Sequence, residues 1–508
     1  MAAQLNGLGK LVFVLFRAFW TALVILVPAL GVWVASSLAA YQNGPVWLVC
    51  VAGLLLFPGL PGLWELISAM RKRRRQRRWH RQVLTTWDRL ILRTLAINLV
   101  FLGALMWARP EAIFTALSSR GDWALDHVQG PIADKLRPSF LGAADALQWL
   151  YEAAHDNEFE ALIDSDGDTP APAPTTTDDD PDSPWKDPWR APTPADDGDD
   201  GDDDSSKTAP IAPKSISGAA TWPSPSLVHP AILAMPESAK SSVTAVGEYI
   251  AAADPDPYSR VKAIHDFAAT HVAYDAVALA EGRYPDQSAE TVLATGLGVC
   301  AGYANLMKAI GEVTGDEIVV VSGDSRKRGG EIAGGGHAWN AAKIGESWYL
   351  LDSTWDAGHV NGKTFTAEYS TDYLFTPATL MGITHYPDDS AWQLRSDPQT
   401  RGEFTRQPMM RPSFFAQGFS LVAPTRSQFT VDRDIELTIG NRGGQHMTAV
   451  AMPMEGGPEH RCTVEGEAEL AITCSPPGAG TYNVQLYASP EAVGTFWMVG
   501  EIQANVRG

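Results

Sequence analysis

The chain has 508 residues, 45% of them hydrophobic and 17 of them Trp. Single cores stop growing near about 250–300 residues, so this length calls for several units with linkers, and the composition excludes global disorder. The formal charge of −20 argues against a general nucleic-acid binder, but much of it is local: Asp164 to Ser206 holds 15 Asp against Lys186 and Arg190, a net of −13.

An apolar run over 18–41 is long enough to cross a bilayer, and no small-residue cleavage site follows it. It is expected to be a retained anchor, not a removed leader. Runs over 46–70 and 90–107 complete three expected transmembrane helices within residues 1–110. Pro58, Pro61, Arg93 and Asn98 interrupt the last two, and an intramembrane charge is costly unless it faces a partner. Between them lies Arg71-Lys72-Arg73-Arg74-Arg75-Gln76-Arg77-Arg78-Trp79-His80-Arg81, eight Lys or Arg in eleven residues. The positive-inside rule places this block and the N-terminus in the cytoplasm. Three crossings then carry everything after Arg109 into the periplasm or the exterior, from an inner or plasma membrane. Nucleic-acid binding is the competing reading of the block, but a short arginine run between apolar spans fixes topology or touches anionic lipid. The lipid bilayer is therefore an expected partner and nucleic acid is not.

Residues 111–163 carry helical spacing at Trp123, Leu125, Val128, Phe140, Leu141, Leu147 and Leu150 and predict short amphipathic helices. From 164 to 219 the chain is Pro, Asp, Thr and Ser, too poor in apolar surface to fold, and reads as a disordered tether. Its Asp runs resemble calcium-ligand spacing, but no distal Glu or hydrophobic frame completes a loop. A solvated, self-repelling spacer is the expectation.

The chemistry lies between residues 260 and 360. Gly296-Leu297-Gly298-Val299-Cys300-Ala301-Gly302-Tyr303-Ala304 puts glycines first and helical spacing after Cys300, so Cys300 is predicted at a helix N-terminus, where the dipole favours a thiolate. Downstream, His337-Ala338-Trp339-Asn340 and Trp348-Tyr349-Leu350-Leu351-Asp352-Ser353-Thr354-Trp355 predict antiparallel strands around a turn at 345–347. A register pairing Ala341 with Trp348 also sets His337 beside Asp352. The carboxylate then orients the ring, and the other ring nitrogen can take a proton from Cys300. Tyr303, Trp339 and Trp355 are candidate substrate-lining aromatics. Taken singly, Cys300 reads as a small core residue and His337 as a hydrogen-bonded surface group; the joint pattern is what carries weight. His265, His271, Asp356 and His359 are weaker candidates. No His or Cys cluster has metal spacing, so neither a metal nor an organic cofactor is expected.

These motifs resemble the transglutaminase-like superfamily of papain-like thiol enzymes. The flanks Val272-Ala273-Tyr274-Asp275, Ser288 to Leu293, Asp372 to Pro377, His385-Tyr386-Pro387-Asp388-Asp389 and Trp392-Gln393-Leu394 are similar to its kyphoscoliosis-peptidase and cytokinesis-protein branch. The resemblance implies an α+β papain-like core at 236–412, a Cys300 nucleophile, a His337 general base and an Asp352 orienter, with the Cys300 N–H in an oxyanion hole. It leans towards a cysteine peptidase over a transamidase acting on protein or peptide amides. Phe267 stands where many members have Trp. The glycine-rich loop 326–336 reads either as a lid or as a solvated connection. The alternative function is a non-catalytic scaffold that binds protein partners at the cell envelope.

Alternating segments at 429–439, 448–452, 482–487 and 495–499, separated by Gly, Pro and Asn, predict a β-sandwich of about seven strands over 415–508, and the branch implies an immunoglobulin-like one. A hairpin centred at residue 468 sets Cys462 opposite Cys474. A disulfide there is sterically plausible and would favour an oxidising compartment; two free cysteines are the alternative. Cys50 lies in the second span, which leaves Cys300 as the odd thiol.

Overall fold

A computed structural model describes residues 2–44, 46–74, 84–126, 131–163, 222–326 and 332–507. The chain forms two compact units, one of residues 1–155 with 400–406, the other of 156–399 with 407–506. Most of the basic block, the acidic segment 164–221 and residues 327–331 of the glycine-rich loop lie outside the described residues.

The first unit is helical. Among the described residues, three helices are long and apolar enough to cross a membrane: Val12–Tyr41, Val46–Arg71 and Thr86–Ala108, of 30, 26 and 23 residues. Large side chains such as Phe16, Ile25, Leu54, Val100 and Trp107 are exposed on them, as lipid-facing surfaces require. The third begins at a capping box in which the Thr85 hydroxyl accepts from Asp88 N–H and the Asp88 carboxylate from Thr85 N–H. Its polar residues find partners. Arg89 and Arg93 both donate to Glu65 of the second helix, and the buried Asn98 amide donates to Thr94 O at 2.9 Å and Leu56 O at 3.4 Å. A charge that faces a carboxylate within a helical bundle escapes much of the penalty of leaving water.

The next helix, Pro110–Arg120, departs from the amphipathic expectation: Ile113 to Arg120 are all buried. Its Ala, Ser and Thr side chains are small enough for close packing on every side. Trp33 Nε1 donates to Gly121 O at 2.7 Å at its end.

The second unit begins earlier than its composition suggests, because Asp156–Ile163 belongs to it. The acidic segment therefore leaves and returns to the same unit instead of linking two. Four core helices follow: Val243–Ala253, Pro257–His271, Ala289–Thr295 and Cys300–Thr314. Ser242 and Asp256 cap the first two by accepting from Ala245 and Ser259 N–H, with Pro257 in its favoured first position. They pack Val246, Ile250, Ile264, Phe267, Leu306, Met307 and Ile310 into one buried cluster. Five antiparallel strands complete the core, in the spatial order 374–376, 347–351, 335–344, 317–325, 385–387.

The hairpin register differs from the expectation by two residues: Lys343, not Ala341, faces Trp348, and Ile344 faces Ser347. Gly345, at φ +64°, supplies the first residue of a two-residue turn that sequence read as three. Asp352 consequently lies past the strand, at the cap of the short helix Ser353–Ala357. A shift of two conserves the face of every side chain, since strand periodicity is two.

The C-terminal part is all-β. One sheet holds strands 409–410, 428–431, 446–453, 460–461, 480–489 and 497–506, and the other holds 419–423, 435–441, 463–465 and 469–474. They share a core of Leu421, Ile435, Leu437, Ile439, Ile472, Val484, Leu486, Val499 and Ile502. The expected single segment 429–439 is two strands in different sheets, broken at Asp432-Arg433-Asp434, where the chain crosses from one to the other. Cys462 and Cys474 are joined by a disulfide.

One buried network ties the core helices to the segment after Asp352. His265 is fully buried, with Nδ1 3.0 Å from Asp266 Oδ1 and Nε2 3.2 Å from Asp356 Oδ2. Carboxylates only accept, so both ring nitrogens carry protons. Burial opposes that charge, but the two carboxylates outweigh it and raise His265 to about 9. A raised histidine stabilises the fold fully below its unfolded value near 6.5 and loses that contribution as pH rises through about 9. His265→Gln is expected to cost about 3–5 kcal/mol at neutral pH. The gap between wild-type and variant unfolding free energies in urea should shrink between pH 7 and pH 10.

Candidate active site

Cys300 opens the helix Cys300–Thr314 and is wholly buried. The chain reaches it through Gly296 at φ +64° and an extended Val299, whose N–H donates to Gln287 Oε1 at 2.8 Å. Gly302 is required by the same glutamine, because a Cβ there would stand 2.5 Å from Oε1. Asn340, three residues beyond His337 on its strand, donates to Ala304 O at 3.0 Å and Val319 O at 3.1 Å. One buried amide thus fixes the spacing between the Cys300 helix and the His337 strand.

His337 donates from Nε2 to Asp352 Oδ2 at 2.8 Å, which leaves Nδ1 for the Cys300 sulfur. Burial disfavours the charged ring, but the Asp352 charge and then Cys300 prevail and push His337 up to about 10. Asp352 has no exposed surface, and burial works against its charge too. His337 and His385 nevertheless hold its carboxyl well below the usual range. Its other oxygen accepts from Thr354 N–H at 2.9 Å and Trp355 N–H at 3.2 Å. The structure brings Cys300, His337 and Asp352 into one site, although sequence reasoning joined the last two through a different register.

His385 was not singled out from sequence. Its Nε2 donates to Asp352 Oδ2 at 3.0 Å, beside His337, and Thr384 Oγ1 lies 2.9 Å from its Nδ1. Burial pushes it down to about 4, so it is neutral and serves as a hydrogen-bond donor. The only signal was its place in the flanking His385-Tyr386-Pro387 run, which was read for resemblance and not for chemistry. The ligand atoms of His337, Asp352 and His385 all lie within 4.8 Å of one another, a cluster capable of holding a metal ion. Its members are separated by 15 and 33 residues, which forms no local metal-ligand spacing in the sequence. Both ring N–H groups aimed at one carboxylate oxygen account for the arrangement by hydrogen bonding.

The candidate lining aromatics divide. Trp339 is stacked 6.0 Å from His337 but is only 2% exposed, and Trp355, 5.9 Å from His337, keeps some surface. Tyr303 is a core residue, not a lining one: it is fully buried and donates to Val272 O at 2.6 Å. Three helical positions after Cys300, it turns into the main apolar cluster. Of the weaker candidates, His265 and Asp356 form the structural network above. His271 stacks on Phe267 at 4.8 Å, and His359 is exposed, 3.2 Å from Glu368.

A cysteine at a helix start, an imidazole held by a buried carboxylate and a connecting sheet define a thiol-enzyme-like fold. The family described as the transglutaminase-like superfamily matches residues 244–353, so this domain is transglutaminase-like. Among curated proteins, the chain is similar to the kyphoscoliosis peptidase of Mus musculus, 31% identical over 237 residues, and to that of Homo sapiens, 30% identical over 237. Each alignment covers 45% of this chain and 35% of the relative, so the chain spans about a third of the length of the curated relatives it matches. Over the matched residues the chain is thus similar to that branch of the superfamily.

His385→Phe removes one donor from a buried carboxylate, and hydrogen bonds to charged groups contribute about 1.5–3 kcal/mol. That loss is expected in the unfolding free energy at pH 7, with partial recovery in His385→Asn, which retains an N–H.

Proposed function

We propose that the protein is a membrane-anchored thiol acyl-transfer enzyme that acts on protein or peptide amide bonds through Cys300, His337 and Asp352. The 2.8 Å hydrogen bond from His337 Nε2 to the buried Asp352 carboxylate carries this reading. With Nε2 committed, Nδ1 accepts the Cys300 proton and the sulfur attacks the carbonyl carbon. The tetrahedral adduct collapses as its C–N bond breaks, and the imidazolium returns the proton to the leaving amine. Water then gives a proton to Nδ1 and attacks the thioester, and the acid leaves as the proton returns to sulfur. No metal or redox partner is needed for this balance.

Hydrolysis is favoured over transamidation because the curated relatives are named peptidases. Anchoring rests on the three apolar helices, and export of the thiol domain rests on the arginine-rich block read as cytoplasmic. The Cys462–Cys474 disulfide supports the same side, since such bonds persist in oxidising compartments. The scaffold reading has one observation in its favour, the complete burial of Cys300.

Cys300→Ala is expected to abolish amide hydrolysis, and Asp352→Asn to lower kcat by about two to four orders of magnitude with little change in KM. The profile of kcat/KM is expected to fall on the alkaline side near pH 10, as His337 loses the proton it must deliver to the amine. An alkaline limb indifferent to Asp352→Asn would argue against the assignment.

A further inference from the structure

Cys300 is a nucleophile with no exposed surface, and part of what covers it comes from far away in sequence. Phe159, 2% exposed, packs in one apolar cluster with Ala278, Val299, Cys300, Ala301, Ala304 and Ala338. Its ring lies 5.2 Å from Tyr284, whose hydroxyl donates to Glu158 Oε2 at 2.8 Å. Asn157, also buried, reaches across two strands: its Nδ2 donates to Gly323 O at 3.0 Å and to His337 O at 3.1 Å. Those carbonyls belong to residues paired across the sheet, so the amide acts as a rung added at the His337 position. Gly336 leaves room for it, since a Cβ there would stand 2.6 Å from Asn157 Oδ1. Further along, Leu162 O accepts from Asn305 Nδ2 at 2.9 Å, on the Cys300 helix itself.

These contacts have the form of peptide recognition. Backbone carbonyls of the sheet and a helix asparagine grip a segment whose Phe159 side chain packs in the apolar cluster that holds the thiol, with Leu162 and Ile163 against it. Among the described residues, the core sheet's ladder is made by strands 374–376, 347–351, 335–344, 317–325 and 385–387, none of which includes this segment. We infer that Asp156–Ile163 occupies the substrate cleft as a built-in competitor, and that the pocket holding Phe159 is a subsite for an aromatic side chain of an acidic peptide. The inference rests on the thiol-enzyme reading. It adds that the resting protein is closed and that the segment must leave before Cys300 meets a substrate. The occupant's own sequence, Asp156-Asn157-Glu158-Phe159-Glu160-Ala161-Leu162-Ile163, indicates the class of peptide the cleft takes. The segment is followed at once by the acidic stretch 164–221, which returns to the same unit at Trp222, so it stays attached at high effective concentration when displaced.

The test is the rate at which iodoacetamide modifies Cys300 in the detergent-solubilised full chain, read on the Cys300 peptide by mass spectrometry. Cys50 is thereby counted separately. Phe159→Ala combined with Asn157→Ala is expected to raise that rate at least about tenfold, since about 1.4 kcal/mol of lost closure is a factor of ten. A synthetic peptide of residues 156–163 added to this variant is expected to slow it again, whereas the same peptide with Ala for Phe159 should not. Rescue by the peptide separates an opened cleft from an unfolded one, because an unfolded chain has no cleft to refill. A wild-type rate equal to the variant's, or a variant rate that the peptide leaves unchanged, overturns the proposal. His337→Ala in the opened background reports separately on the enzyme reading. Cys300 that becomes accessible but reacts no slower without His337 would leave the occupant in place and remove the catalytic assignment.

Discussion

Everything near the thiol depends on how one buried carboxylate is satisfied. Asp352 receives two ring N–H groups on one oxygen and two backbone N–H groups on the other. An ionised carboxylate without water costs several kcal/mol unless its lone pairs are occupied, and here four donors share that task. The four donors come from three places: the 335–344 strand, the 385–387 strand and, for the two backbone N–H groups, the first turn of the helix after Asp352. Three elements are therefore held in register by a single charge. His337 has little choice of orientation, because turning its ring would strand both its own N–H and a lone pair of Asp352.

The division of labour between the two histidines follows from surroundings, not from identity. Both are buried and both face the same oxygen, yet His337 is driven above its ordinary value and His385 below it. Two imidazolium rings 5.4 Å apart would repel each other strongly in this interior. One must stay neutral, and it is the one whose second nitrogen faces a hydroxyl instead of a thiol. A neutral donor stabilises the carboxylate without competing for its charge. The His265 network works on the same principle one layer deeper, where an imidazolium is held between Asp266 and Asp356 and anchors the helix that follows Asp352.

Much of this was legible in sequence, and the losses have identifiable causes. Glycines before Cys300 and helical spacing after it mark the helix start, because backbone freedom and periodicity are local properties. The face shared by His337 and Asp352 survived a misjudged turn, since an error of two residues preserves strand parity. Tyr303 was misplaced because helix spacing gives a direction but not what lies in that direction. His385 and Asn157 could not be found by spacing at all: one arrives 33 residues after Asp352 and the other 180 residues before His337, and only folding brings them together. Arg93 interrupted the third apolar helix on paper for the same reason, as its partner Glu65 belongs to another helix, whereas Asn98 is satisfied at Thr94 O of its own helix as well as at Leu56 O.

The acidic segment is where composition misleads most. A run of Asp between an apolar N-terminal part and a folded C-terminal part reads naturally as a tether between them. Yet both of its ends belong to one unit, and its first end is the strand of chain that covers Cys300. Closing a long loop costs only about 0.6 kcal/mol for each doubling of length, so its entropy cannot by itself expel that strand. The grip on this segment combines the two neutral hydrogen bonds from Asn157, apolar contact at Phe159 and the bond from the Tyr284 hydroxyl to the Glu158 carboxylate. Closure of the cleft therefore rests on contacts made by residues 157–162 themselves, not on the length of the loop that follows them.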